Sequence, residues 1–138
     1  MRMHIQVVLC ASTIVCLTLS ASADRSSANF AQGTRLSQIM QAKLGHSQAI
    51  LGAVVTSNWT VLDRESRALA LVVRDPAWSA ALTEPAYLRQ SDAFSGALQN
   101  LIEASAKRDL EAAGNAQIAL TASCVRCHLD VTRRRQAR

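Results

Sequence analysis

Hydrophobic residues recur at helical spacing along most of the chain, and this spacing predicts four helices. The first helix is expected to begin at an N-cap residue, Thr34, and to end near residues 56–58. Its apolar face is expected to hold Leu36, Ile39, Met40, Leu44, Ile50, Leu51, Val54 and Val55.

The second helix is expected to begin near residues 58–60 and to stop at Asp75-Pro76. A residue that precedes proline avoids the helical region, so this pair is interpreted as a helix end. A loop that contains Trp78 and Leu82 is expected to follow.

The third helix is expected to begin at residues 83–85, with Pro85 in its first turn, and to end near residues 106–108. Asp109 is a suitable cap for a fourth helix that runs close to the C-terminus. No segment has the alternating pattern of a strand. Four helices with short links predict an all-α fold, an up-down-up-down four-helix bundle.

The N-terminus has the three parts of a secretory signal peptide. Residues 1–4 carry positive charge, residues 5–19 are apolar, and Ala21-Ser22-Ala23 fits a cleavage site. We therefore expect residues 1–23 to be removed and residues 24–138 to form one domain. The apolar run is too short to span a bilayer, so no membrane anchor is expected. Export indicates a bacterial periplasmic protein.

Cleavage would leave only two cysteines, Cys124 and Cys127. A disulfide framework is therefore excluded, apart from one bond within this pair. A structural zinc site is also a poor fit, because it needs four nitrogen or sulfur ligands and the mature chain adds only His46 and His128.

The segment Cys124-Val125-Arg126-Cys127-His128 reads C-x-x-C-H, the attachment sequence of a c-type haem. On a helix, positions three and four apart share one face, so both thiols and the imidazole can meet the same porphyrin. The motif predicts one covalent haem c per chain near the C-terminal helix, with His128 as an iron ligand.

An exported four-helix chain with this motif near its C-terminus resembles the class II cytochromes c, the cytochrome c-prime family. The resemblance in architecture covers the whole mature chain. In sequence, only the C-x-x-C-H motif is specific to the family. It implies that Cys124, Cys127 and His128 lie in the last helix. Low-spin members of the family take a sixth iron ligand from a first-helix methionine, which would be Met40, whereas high-spin members leave that side open.

The resemblance also implies that Arg35 reaches a haem propionate and that a homodimer can form through the first two helices. The spacing from Arg35 to Met40 is one residue longer than the family pattern, and two further positions also depart from it. The family often has an aromatic residue three positions after the haem histidine and a basic residue four positions after it. This chain has Val131 and Thr132 at those positions.

Helix geometry separates the candidates for the sixth ligand. Met40 is about 6 residues into its helix and His128 about 7 residues from the end of the last helix, so an antiparallel pairing places them level. His46 is the rival ligand, but it lies about 240° round the helix from Met40, so the two side chains cannot face the same iron. Lys43 is expected to snorkel to solvent, with propionate pairing or iron ligation as alternatives.

These features predict a periplasmic electron carrier rather than an enzyme, because no catalytic constellation is visible. The alternative is a high-spin haem protein that binds a small gas such as nitric oxide. A thiol–disulfide enzyme would need a βαβ setting, which the pattern lacks. The formal net charge is +5, but an exported protein rarely meets nucleic acid. The cluster Arg133–Arg135 either complements a helix end or docks an acidic redox partner.

Overall fold

The computed structural model describes residues 31–137, and these residues form an all-α structure of five helices with antiparallel packing contacts. Helix α1 spans residues 31–55. The others are α2 (Trp59–Val72), α3 (Pro76–Ala81), α4 (Pro85–Lys107) and α5 (Leu110–Gln136). The predicted signal peptide, residues 1–23, lies outside the described residues. The packing reported below is that of the compact unit that begins at Leu36.

Side-chain caps start three of the helices. Asn58, Asp75 and Asp109 precede α2, α3 and α5, and each accepts a backbone N–H from two or three residues further on. A cap of this kind stabilises a helix by about 1 kcal/mol, because it satisfies a donor that has no intrahelical partner. The predicted start of α5 at Asp109 is confirmed, and so is Pro85 in the first turn of α4.

The predicted loop after α2 is wrong, because Trp78 lies in a short helix. Helix α2 ends at Val72, and Pro76 occupies the first position of α3, where its missing N–H needs no partner. The carboxylate of Asp75 accepts the Ala77 backbone N–H at 2.9 Å. The Asp-Pro pair is therefore the beginning of a helix and not the end of one.

The predicted N-cap of the first helix is also wrong. Thr34 lies within the helical residues 31–55 and is exposed. Helix α1 ends at residue 55, one residue before the predicted range. Ser57 follows in the left-handed region with φ 52°, which turns the chain sharply into α2.

Adjacent helices form antiparallel contacts through polar side chains as well as the core. The hydroxyl of Ser105 on α4 donates to the backbone carbonyl of Trp59 at the start of α2, at 3.1 Å. The guanidinium of Arg126 on α5 donates to the side-chain carbonyl of Gln90 on α4, at 3.4 Å. Between the helices lies one apolar core, whose largest members include Ile50, Leu62, Leu69, Phe94, Leu98, Leu101 and Leu120.

The predicted apolar face of α1 is buried only in part. Ile39, Ile50 and Val54 are buried, whereas Leu44 and Leu51 are 54% and 50% exposed. Both of these leucines line a cavity, so their exposure comes from an open space beside α1, whereas Val55 of the same predicted face is exposed outside it. Among the described helices, none combines the length and apolar character needed to cross a bilayer.

Candidate functional site

A cavity of about 460 Å³ opens beside α1 and α5, with α3 and α4 completing its wall. This volume falls within the range of about 300–1,000 Å³ found for small-molecule and cofactor sites. The residues that line it are Met40, Gln41, Lys43, Leu44, Ser47, Gln48, Leu51, Trp78, Gln90, Ser91, Phe94, Gln117, Thr121, Ser123, Cys124, Val125, Cys127 and His128.

The C-x-x-C-H residues lie together on the cavity side of α5. Helix α5 is continuous through the motif, so Cys124, Cys127 and His128 share one face as their spacing predicts. Both cysteines are free thiols and half-buried. Burial raises the pKa of the Cys127 thiol, while the nearby Lys43 charge lowers it to a smaller extent. Cys127 is therefore held as a thiol rather than a reactive thiolate.

The imidazole of His128 is exposed and borders two spaces. One is the main cavity, and the other is a shallower depression of about 310 Å³ on the same helix. Leu129 and Thr132 complete the wall of that depression. The imidazole is thus accessible both from the cavity and from the outer side of α5.

Met40 lies on α1 in the wall of the same cavity as the motif. Its side chain is half-buried. A thioether sulfur on α1 and an imidazole nitrogen on α5 are therefore presented to one shared space. The structure brings together four of the predicted site residues, although their roles as haem ligands stay predictions.

Lys43 does not snorkel to solvent, so that expectation is wrong. The residue is only 9% exposed, and its Nζ lies 3.8 Å from the ring centroid of Trp78 and 4.0 Å from that of Phe94. Burial lowers the pKa of the Lys43 ammonium. Stacking on two aromatic faces favours the charged form, as in other cation–π contacts.

His46 takes no part in the cavity wall. Its Nδ1 lies 2.8 Å from Oε2 of Glu65 on α2, so the imidazole is directed at the neighbouring helix. The hydrogen bond from His46 holds the pKa of the Glu65 carboxyl below its usual range, with a further contribution from Arg64. Arg35 is an exposed residue of the helical segment before Leu36, and its predicted contact with a propionate stays a prediction.

Gln117 is a polar residue of the cavity wall that is only 6% exposed. Its Nε2 donates to the Thr121 hydroxyl at 3.4 Å, whereas its Oε1 has no hydrogen-bond partner among the described residues. A buried acceptor without a partner costs free energy unless a bound molecule or water satisfies it.

Sequence reasoning missed the aromatic cage around Lys43. The sequence predicts a loop around Trp78 and no contact between Lys43 and an aromatic ring, whereas the Trp78 and Phe94 rings both lie against the ammonium. One signal was available, because Lys43 lies inside the apolar stripe of the first helix, where a charge needs a partner.

Arg134 in the C-terminal cluster has structural partners. Its Nη1 lies 2.9 Å from the Glu84 carboxylate, and its guanidinium lies 5.5 Å from the centroid of Tyr87. These contacts tie the end of α5 to the beginning of α4. Arg133 and Arg135 are exposed beside it.

Comparison with protein-family models, with curated proteins and with solved structures found no match to this chain. Within residues 31–137, no three His, Cys, Asp or Glu side chains converge as ligands for a bare metal ion. Any functional conclusion therefore depends on the cavity and the residues in its wall.

Proposed function

We propose that this protein is a periplasmic c-type cytochrome that carries electrons through one covalently bound haem. The observation that carries the proposal is a single cavity whose wall holds both thiols of the C-x-x-C-H motif, its imidazole and the Met40 side chain. The motif alone is a sequence signal, and the cavity supplies a space of suitable size beside it.

The chemistry of the side chains fits a haem c. Cys124 and Cys127 offer two free thiols on one helix face for thioether bonds to the two vinyl groups. His128 offers an imidazole and Met40 a thioether, the pair of axial donors that gives haem a raised potential in cytochromes c. Once bound, the haem supplies one-electron redox chemistry.

The apolar part of the wall would limit contact between the cofactor and water. Leu44 and Leu51 on α1 and Phe94 on α4 line the cavity without contributing polar groups. Low solvent access is one of the properties through which a protein sets a haem potential. The half-exposed leucines would gain burial when the cavity is filled, so haem binding would also stabilise the fold.

We infer that the four long helices form the up-down-up-down bundle of the class II cytochromes c, with α3 as an insertion between α2 and α4. In that arrangement α1 and α5 run in opposite directions. This direction supports the predicted pairing of Met40 near the start of α1 with His128 near the end of α5. A homodimer through the first two helices is implied by the same resemblance.

The exposed imidazole of His128 lies on the same helix as the cationic C-terminal cluster. Arg133 and Arg135 are exposed two turns or less beyond it, and they would attract an acidic redox partner to this end of the molecule. We therefore propose electron exchange with an acidic protein at the C-terminal end of α5.

A high-spin haem protein that binds nitric oxide is the alternative function, and Met40 decides between the two. If the Met40 thioether ligates the iron, an added gas would find no free coordination position. If Met40 does not ligate the iron, the cavity beside α1 could hold the gas. Thiol–disulfide catalysis is disfavoured because such enzymes carry the C-x-x-C pair in a βαβ setting, whereas residues 31–137 form helices only.

The proposal is tested by producing the full chain in a bacterium that carries the cytochrome c maturation machinery. The visible spectrum of the purified protein should show a Soret band that stays with the polypeptide after acid–acetone extraction. A colourless protein, or haem that is extracted, contradicts the proposal.

A further inference from the structure

Lys43 is the one Lys or Arg among the residues that line the cavity, and that wall contains no Asp or Glu. The residue is 9% exposed. No carboxylate within residues 31–137 forms an ion pair with it at the distances found for the ion pairs of Glu65, Asp63 and Glu84. The cavity wall therefore carries a buried positive charge that forms no ion pair with a carboxylate of residues 31–137.

Three helices fix the position of this charge. Lys43 extends from α1, and its Nζ lies 3.8 Å from the Trp78 ring on α3 and 4.0 Å from the Phe94 ring on α4. Trp78 is the buried residue of α3. One structural role of this short helix is thus to place an aromatic face against the ammonium.

Burying a lysine at this position opposes folding. The ammonium loses water on burial, which disfavours its charged form and lowers its pKa. An apolar residue of similar size would pack between the two rings without that cost. A charge that is held in place despite the cost suggests a role in the cavity rather than in the core.

The charge is close to the attachment points of the proposed cofactor. Lys43 lines the same cavity as Cys124 and Cys127. Any group bonded to these two sulfurs would lie within electrostatic reach of Lys43, in an environment that screens charge less than water does.

We propose that Lys43 sets the reduction potential of the bound haem by holding a fixed positive charge at the cavity wall. This inference depends on the proposed function. Transfer of one electron from a redox partner to ferric haem gives ferrous haem and removes one positive charge from the site. The Lys43 ammonium repels the form with the greater positive charge, so it favours the ferrous form and raises the potential. The Trp78 and Phe94 rings act as positioning residues.

The test compares four variants of the haem-loaded full chain. Lys43→Gln and Lys43→Leu remove the charge, and Lys43→Arg retains it. Lys107→Gln removes an equal charge from the exposed end of α4, which controls for the change in net charge. Haem content is measured by mass spectrometry, and the potential is measured by spectroelectrochemical titration at fixed pH and ionic strength.

Both neutral variants should decrease the equilibrium ratio of ferrous to ferric haem at a given applied potential by about tenfold, which is a shift of about 59 mV for a one-electron couple. Lys43→Arg and Lys107→Gln should stay close to the wild type. Absorption spectra of the same samples should show unchanged axial ligation, which separates a charge effect from a change of ligand.

The proposal is overturned if either neutral variant binds haem and keeps the wild-type potential, or if Lys107→Gln produces an equal shift. It is also overturned if both neutral variants fail to bind haem while Lys43→Arg binds it, since the charge would then serve folding. Absence of covalent haem from the wild type is a different result, because it refutes the proposed function itself.

Discussion

Met40 of α1 and His128 of α5 lie in the wall of the same cavity. The two residues come from opposite ends of the described chain, and neither helix contains both. Their convergence gives the candidate site one sulfur or nitrogen donor on each of two helices. Under the proposed function, ligation of iron by both side chains favours electron transfer, and ligation by His128 alone favours gas binding.

The sixth ligand is tested by Met40→Ala. We expect the wild-type haem to be low-spin with weak affinity for carbon monoxide, because imidazole and thioether fill both axial positions. The variant should become high-spin and bind carbon monoxide readily. Met40→Leu is the matched control, since it restores apolar volume without a sulfur and should behave like the alanine variant.

A high-spin wild type would contradict the assignment of Met40, and so would a variant with an unchanged spectrum. A high-spin wild type would favour the gas-binding alternative, whereas a low-spin spectrum that does not change in the variant would favour another ligand, such as Lys43. His46 would not become the preferred ligand, because its imidazole is already bonded to Glu65.

The cationic end of α5 should control the rate of encounter with an acidic partner. Exchanging both Arg133 and Arg135 for Gln should slow electron transfer at low salt and flatten its salt dependence, because these side chains are exposed. Stopped-flow measurement at several ionic strengths gives both quantities. Equal rates for wild type and variant at low salt would leave these arginines without a docking role.

Arg134→Gln is a control with a different expected effect. Its ion pair with Glu84 is nearly half-exposed on both sides, so its loss should lower the free energy of unfolding by about 0–1 kcal/mol. Urea denaturation of Arg134→Gln, Glu84→Gln and the double variant isolates the contribution of the pair. A coupling energy well above that range would show that solvent screens this contact less than its exposure implies.

Acid should weaken the contact between α1 and α2. The pKa of Glu65 is lowered in the folded state by its hydrogen bond to His46, so the ionised carboxylate stabilises the fold above the unfolded-state pKa. That stability is lost as the pH falls through the lowered folded-state pKa. The free energy of unfolding of Glu65→Gln should therefore depend less on acid pH than that of the wild type, as measured by urea denaturation.

One control variant shows whether the acid dependence comes from the bond between His46 and Glu65. Asp63→Gln removes a carboxylate that pairs with Arg67 inside α2. This carboxylate takes no part in the hydrogen bond between His46 and Glu65. If this variant and Glu65→Gln lose the same acid dependence, the bond between His46 and Glu65 is not its source.

Local signals in the sequence were sufficient to predict much of the fold. Asp109 and Pro85 mark helix starts through their own backbone chemistry, and the structure places both as expected. The common face of Cys124, Cys127 and His128 follows from helix periodicity alone. These predictions need no knowledge of distant parts of the chain.

Predictions that depend on long-range contacts were less successful. Asp75-Pro76 fits both a helix end and a helix start, and the burial of Trp78 favours the start. The orientation of Lys43 depends on rings from α3 and α4, which lie far from it in sequence. Helical spacing identifies the face of a residue but not which side chains from other helices meet it.

The most direct test of the central proposal is the mass of the intact exported protein, measured for the wild type and for the variant with both Cys124→Ala and Cys127→Ala. The wild type should have the mass of a chain that begins at Asp24 plus one haem, and the double variant the mass of its polypeptide alone. A wild-type mass equal to the bare polypeptide, from cells that attach haem to other c-type cytochromes, would contradict the proposal that this chain is a cytochrome.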